Sequence, residues 1–472
     1  MGFEHPLGAL PRSMPLRIPH PRKSSALTAE AVTARVDRTH RYDTIQPVKN
    51  LPAWASEERL SDVASRFGTP VYVYDLASVQ SQVESFQDFD EVRFAVKANP
   101  NLAVLSSLRQ AGVLSDSVST GEVLRALAAG FAPADIVYTA DFLDREAAAI
   151  VAEHRLHANA GSLTMIDQVA ELGGFDSITL RVNPGFGDGH DEKVTTGGPN
   201  SKHGIWHRSL PEARERARAH GIRVTGLHVH IGSGVREDFV LDTIEAMGRA
   251  VELFEDTVER VSCGGGMSIP YRASDKDFDV REVAKAWGEA RDLWSKKIGR
   301  RIDLEAEPGR YLVAQAGVLI TEICGVNDTR SGDGDGHTFI LVDAGFHTLP
   351  RPLLYGAYHQ LSVLGKGNAE TRPQMVAGPL CESSDVFTQG KGGVPAPQAL
   401  PEVERGDLMV IHDAGAYAAS MASCYNSRPL PTEVALTPDG EAHLVRPALD
   451  MQRLIDEERA ALPASLSPTT AP

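Results

Sequence analysis

The chain has 472 residues, 47 Lys+Arg against 63 Asp+Glu, and a formal net charge of −16. Its length points to two domains, and a composition 42% apolar and 23% charged excludes wholesale disorder. The acid excess argues against a general nucleic-acid binder, and no stretch approaches the ~20 apolar residues of a membrane span.

Residues 1–54 read as a disordered tail, or a partner-binding arm. They are rich in Pro, Arg, Ser and His, with eight Lys/Arg against four Asp/Glu and no sustained apolar period. No apolar core of a secretory signal is present, and Pro6 stands where a myristoylation motif needs Ser or Thr. Cys263, Cys324, Cys381 and Cys424 form no CxxC or CxxH pair. That argues against a zinc site or disulfide framework and for a reducing, cytoplasmic setting.

From residue 92 to 307 β-rich runs alternate with helical stretches. The strand candidates are 92–98, 113–118, 135–139, 156–159, 178–182, 224–231, 258–263 and 302–305. Between them, 101–110 places Leu102, Leu105 and Leu108 on one helix face. In the next helix Thr120 is the expected cap, with Val123, Leu124 and Leu127 facing inward and Gly130 at the end. Eight strand–helix repeats predict an α/β fold, a (β/α)8 barrel. Beyond about residue 318 the texture changes to short strands between Gly/Pro loops: 318–326, 337–342, 374–377, 408–412 and 433–435. The run PVYVY at 70–74 reads the same way, while 366–372 and 389–401 read as surface loops. An antiparallel β-domain built from both chain ends follows. The expected division is a tail at 1–54, a barrel at 79–317, a β-domain from 55–78 plus 318–450, and a short helix and frayed end at 451–472.

A barrel carries function at the C-terminal ends of its strands. Lys97 ends the first predicted strand, Asp116 the second, and Arg181 lies near the end of the fifth. His228 and His230 end the sixth, Gly264, Gly265 and Gly266 follow the seventh, and Glu307 follows the eighth. A lysine on an apolar strand either snorkels at the barrel mouth or forms a Schiff base, which needs a lowered pKa and a dry pocket. Glycines let backbone N–H groups approach an anion, although tight turns look the same; Ser233, Gly234 and Gly309 would add donors from neighbouring loops. The two histidines share a strand face. A third metal ligand is not evident, so no metal is expected; stacking on a flat ring suits His230, and a core role remains open for His228. A carboxylate at Glu307 beside a pyridine nitrogen favours its protonated form. Together, a lysine for an aldehyde, glycines for a phosphate and a glutamate for a ring nitrogen describe pyridoxal 5'-phosphate.

The motifs carry a family resemblance. FAVKAN (94–99), DSVSTGE (116–122), LRVNPGFG (180–187), TGGPNSKHGIW (196–206), HVHIGSG (228–234), CGGGMSIPY (263–271) and EPGR (307–310) stand in order. RPLLYGAYH (351–359), GPLCESSDVF (378–387), DAGAYAASM (413–421) and YNSRP (425–429) follow them. From about residue 60 to 446 the chain resembles the barrel-type, fold type III pyridoxal-phosphate decarboxylases, and CESSDVF with RPLLYGAYH points to their diaminopimelate branch.

The resemblance implies roles for single residues. Lys97 is the Schiff-base lysine, His230 stacks on the ring and Glu307 pairs with its nitrogen. Ser233, Gly234, Gly264–Gly266 and the Pro308–Gly309–Arg310 backbone hold the phosphate, with Tyr417 beside it. Arg310, Arg351 and Tyr355 clamp a substrate carboxylate, Tyr417 also facing the substrate, and Glu382 reads the distal amine. Cys381 donates a proton across a homodimer interface. On its own a lone cysteine is as well read as a small buried hydrophobe; the flanking GPLCES gives it the role. The implied reaction takes meso-2,6-diaminopimelate to L-lysine and carbon dioxide in the cytoplasm, with no nucleic-acid or membrane partner. His347 and Thr348 replace a usual Asn-Asp, Ser384 a usual Gly, and Cys424 a usual Asn; the expectation is that these lie near the substrate end, where a shifted diamino-acid specificity would show. The alternatives are a decarboxylase of ornithine, lysine or another amine precursor, and a catalytically silent binding or regulatory homologue.

Overall fold

The computed structural model describes residues 50–189, 191–234, 238–330, 336–463 and 465–466. Residues 1–49 of the segment read as a tail, and most of the expected frayed end, lie outside the described residues.

The first strand, β1 (Val71–Asp75), precedes the barrel. Then come β2 (Glu91–Ala95), β3 (Leu114–Ser117), β4 (Ile136–Ala140), β5 (His157–Ala160) and β6 (Ser177–Asn183). Past the two-residue β7 (Ile205–Trp206) lie β8 (Arg223–Val229), β9 (Arg260–Ser262) and β10 (Asp303–Ala306). Eight of these strands, β2–β6 and β8–β10, pair in parallel with their chain neighbours, and β10 pairs back onto β2 to close the ring. The eight-fold repeat in the sequence is thus a closed (β/α)8 barrel, with β7 hanging on β6 outside it.

Local chemistry starts the barrel helices. Asn101, Ser119, Asp144 and Ser162 each accept a backbone N–H of the first turn, at 2.9, 3.2, 2.8 and 3.0 Å. Such a cap stabilises a helix by about 1 kcal/mol. The cap expected at Thr120 falls one residue earlier, on Ser119, because Ser119 is extended and Thr120 is already helical. Leu124, expected inside, is 55% exposed; Val123, as expected, is buried, with Ala126 beside it on that face.

The second sheet contains β1 and every strand after the barrel. These are β11 (Gly317–Asp328), β12 (Thr338–Val342), β13 (Leu361–Val363), β14 (Thr371–Ala377), β15 (Gln398–Pro401), β16 (Leu408–Ile411), β17 (Thr432–Leu436) and β18 (Ala442–Arg446). The expected antiparallel arrangement holds for most ladders, but β1 pairs parallel with β17 and β12 with β14, so the sheet is mixed. The long stretch of chain between β1 and β17 permits their parallel pairing, while β11, also separated from β1 by the barrel, pairs with it antiparallel. Two predicted loops are corrected at their ends: Thr371 and Arg372 open β14, and Gln398–Pro401 form β15 on it, at a sheet edge where proline is tolerated.

β1 alternates strictly. Val71 and Val73 enter a small core with Leu60, Val318, Ile320 and Val434, whereas Tyr72 and Tyr74 enter the large core shared with the barrel. Leu51 and Trp54 pack on the small core, and Trp54 Nε1 donates to the Gln315 carbonyl at 3.3 Å. The fold therefore begins inside the segment read as tail. Among the described residues no helix is long and apolar enough to cross a membrane.

Candidate active site

A cavity opens at the C-terminal mouth of the barrel, and the residues singled out on the strand ends meet there. Lys97 was expected on the first strand. That strand stops at Ala95, and Lys97 stands on the following one-turn helix, Val96–Ala98, with its side chain open to the cavity rather than in the core. The turn spares the ammonium the cost of burial in a strand interior.

Glu307 lies just past β10 and is buried. Ser262 Oγ donates to its Oε1 at 2.8 Å, and His228 Nε2 lies 2.7 Å from its Oε2. Burial alone would raise this carboxyl. The His228 ring, Ser262 and more distant Arg93 outweigh burial and hold it down to about 2. The site thus keeps an anion fixed from two sides. His228, left open between core and functional roles, is the partner that sets Glu307; Ser262, which carried no signal in the sequence beyond its place before the glycines, is the other. Asp116 behaves oppositely: burial first, then the nearby Glu307 charge, pushes its carboxyl up to about 6, and its Oδ1 has no hydrogen-bond partner. His230 also lines the cavity. Burial, then the Lys97 charge, drives its pKa well down, and its Nδ1 is buried without a partner. A neutral, flat imidazole facing the cavity suits ring stacking.

The glycines make a backbone wall. Gly265, Gly266 and Gly309 line the cavity with Ser233. A Cβ on Gly264 would lie 2.0 Å from the Val229 carbonyl oxygen, and one on Gly265 2.4 Å from that of Glu307. Gly264 and Gly266 also have φ of +69° and +101°, which disfavours any side chain. Gly234 and Gly264 stand behind the wall: Gly234 N–H donates to the Gly266 carbonyl at 2.9 Å, and Gly264 N–H to Ser262 Oγ at 3.1 Å. The Pro308 carbonyl accepts from Ala95 N–H at 3.2 Å, tying the Glu307 segment to the Lys97 strand.

Two guanidiniums also line the cavity. Arg310 donates to Ser233 Oγ at 2.9 Å and to the Tyr271 hydroxyl. Its Cζ lies 4.9 Å from the centre of the Tyr417 ring. Arg351 starts the helix Arg351–Tyr355, is 2% exposed, and sits 5.1 Å over the Tyr271 ring. Tyr355 and Tyr417 line the cavity with them. Tyr417 holds φ at +56°, pinned by its N–H on the Ala98 carbonyl at 2.8 Å. Such a conformation costs a non-glycine residue on the order of 1 kcal/mol. Sequence reasoning gave Tyr271 no role; it is the residue on which both arginines meet.

Cys381 and Glu382 lie outside this chain's cavity, exposed on a loop of the β-domain. The loop is well fastened. Asn426 Oδ1 accepts Cys381 N–H at 2.9 Å, Tyr425 donates to Glu382 at 2.5 Å, and Asp385 accepts Leu380 and Phe346 N–H at 2.8 and 2.7 Å. Of the four departures, none is among the described residues lining the cavity. His347 and Thr348 are buried in the β-domain, where the Thr348 carbonyl accepts Tyr72 Oη at 2.5 Å. Their expected place beside the substrate is therefore not found within this subunit's cavity.

Pyridoxal phosphate fits these residues. A lysine, a shielded carboxylate, a neutral imidazole and a side-chain-free backbone wall surround one space.

Residues 76–314 match the family model described as pyridoxal-dependent decarboxylase, pyridoxal binding domain. The diaminopimelate decarboxylase of Escherichia coli strain K12 is 45% identical over 407 residues, covering 84% of this chain and 96% of that protein. A crystal structure of a diaminopimelate decarboxylase, 44% identical, superposes with a TM-score of 0.81 over 85% of this chain and 96% of that one. The Helicobacter pylori diaminopimelate decarboxylase, solved with L-lysine, is 28% identical with a TM-score of 0.75, covering 85% of this chain and all of that one.

Proposed function

The chain belongs to the pyridoxal-dependent decarboxylases, with the diaminopimelate decarboxylases as its relatives, and from that membership we propose that it takes meso-2,6-diaminopimelate to L-lysine and carbon dioxide. It is a carboxy-lyase and its cofactor is pyridoxal phosphate. The observation that carries the substrate reading is the second cationic site: buried Arg351, beside Arg310, faces the same cavity as Lys97 and Glu307.

When bound, pyridoxal phosphate supplies an electron sink for the pair left by the departing carboxylate. Lys97 would hold the cofactor through its aldehyde. Glu307, kept anionic by His228 and Ser262, holds a proton on the ring nitrogen. His230 would stack on the ring, and the Gly264–Gly266 and Pro308–Arg310 backbones with Ser233 and Gly234 would take the phosphate, Tyr417 beside them. Arg351, Arg310 and Tyr355 grip the carboxylate that the reaction leaves in place, the one L-lysine retains; Tyr417 flanks it. Glu382 pairs with the adjacent ammonium. The Cys381 thiol delivers a proton to the carbon that lost carbon dioxide.

Cys381 and Glu382 are exposed in the single chain, which supports a homodimer whose partner completes each site. Four unpaired cysteines support a reducing, cytoplasmic setting. The working division is a barrel at 79–317 that holds the cofactor and a β-domain, 55–78 plus 318–450, that brings the substrate-reading residues.

The test is carbon dioxide release from meso-diaminopimelate beside L-lysine, D-lysine and L-ornithine. Turnover confined to meso-diaminopimelate is expected. Equal or faster turnover of a substrate lacking the second carboxylate overturns the reading.

A further inference from the structure

Arg351 is taken above as a carboxylate fork, and the fork needs something to aim it. Resting on that reading, we propose that His359, outside the cavity lining, is a positioning residue that holds Arg351 through a fixed imidazole tautomer.

Two partners specify the tautomer. His359 Nδ1 lies 2.8 Å from the His412 carbonyl oxygen, which only accepts, so Nδ1 carries the proton. Nε2 lies 2.8 Å from a terminal nitrogen of Arg351, which only donates, so Nε2 is the acceptor. A ring protonated on both nitrogens would set an N–H against the guanidinium. Burial, with Arg351 alongside, keeps the ring neutral; it is 3% exposed.

The sheet fixes the ring in turn. His359 stands two residues before Leu361 on β13 and His412 one after Ile411 on β16, and Leu361 pairs with Ile411. His412 N–H donates to the Gln360 carbonyl at 2.9 Å, and Gln398 Nε2 to the His359 carbonyl at 2.7 Å. From the barrel side, the Tyr271 ring meets His359 edge-on at 5.6 Å and lies under Arg351. Arg351 is thus held between a sheet residue and a barrel residue. Its grip on a carboxylate belongs to ground state and transition state alike, so loosening it raises KM with little change in kcat.

The test uses the enzyme loaded with pyridoxal phosphate. His359→Asn keeps a donor near Nδ1 and loses the acceptor; His359→Gln places an amide oxygen near Nε2. His359→Leu loses both and stands in should the Asn variant not fold. The Asn or Leu variant is expected to raise KM for meso-diaminopimelate about 10-fold or more, with kcat within about 3-fold, as for a lost bond to a charged group. L-lysine binding, read by calorimetry, weakens by the same factor, and cadaverine, which has no carboxylate, inhibits as before. The Gln variant recovers KM to within about 3-fold. An unchanged KM, parallel weakening of cadaverine, or a Gln variant no better than Asn overturns the positioning role. A parent enzyme inert on meso-diaminopimelate overturns the substrate reading instead, and this proposal with it.

Discussion

Asp116 and Glu307 share one cavity and titrate in opposite directions. Asp116 is raised from 3.8 to about 6, mainly by burial and then by Glu307, so between those values the folded chain binds the extra proton and stability falls as pH rises. Glu307 is lowered from 4.5 to about 2, so the unfolded chain binds the proton there and stability falls as pH drops through that window. In cofactor-free protein, Asp116→Asn is expected to flatten the decline in melting temperature between about pH 4 and 6, measured by scanning calorimetry. Two further substitutions test the chemistry. Lys97→Ala is expected to abolish both the visible absorbance of bound cofactor and turnover, with no borohydride-trapped adduct at that position. Cys381→Ala is expected to keep the absorbance while slowing product formation by about 100-fold or more; full rate would end its assignment as proton donor. Lys97, His230 and the glycine run were legible because each motif is contiguous in the chain. Ser262, Tyr271 and His359 were not, because their partners Glu307, Arg310, Arg351 and His412 come from other elements, and nothing in a local pattern reports such a meeting.

Among the elements, the loop after β9 is the least tolerant part of the site. Gly264 combines a positive φ with a carbonyl 2.0 Å from where a Cβ would stand. Gly264→Ala is expected to cost about 1–3 kcal/mol in chemical denaturation and to weaken cofactor binding, since the Ser262 contact that orients Glu307 also runs through Gly264 N–H. The barrel strands were readable to within a few residues, because a parallel strand buried on both faces is a run of β-formers followed by a helical period. The edges of the second sheet were not. β15 has four residues ending in proline, and β18 has no fully buried residue, so neither offers a clear apolar alternation, and their place is set by pairing with β14 and β17. Lys97 slipped from strand to turn for a related reason, since its neighbours are β-formers and only the three-dimensional bend after Ala95 separates them.

At the scale of the whole molecule, the split between a cavity that holds Lys97 and an exposed loop that holds Cys381 makes a quantitative prediction. Mixed and refolded together, Lys97→Ala and Cys381→Ala subunits should form hybrid dimers with one intact site in two, recovering about a quarter of parental activity. No recovery, with hybrids shown by mass, would place both groups in one subunit. The −16 net charge belongs to the body rather than the cavity, where Lys97, Arg181, Lys193, Arg310 and Arg351 gather against Asp116 and Glu307.

The placement of β1 bears on how the chain is made. Val71 pairs with Ile320 on one side and Thr432 on the other. A ribosome releases β1 first, yet both neighbours emerge only after the barrel. Until then Val71–Asp75 has two open flanks and two tyrosines without their core, a segment inviting chaperone capture or misplaced pairing. The barrel can close early and β11 can cover one flank of β1 soon after, but the other flank waits for β17, so truncation ahead of β17 would leave that edge of β1 open.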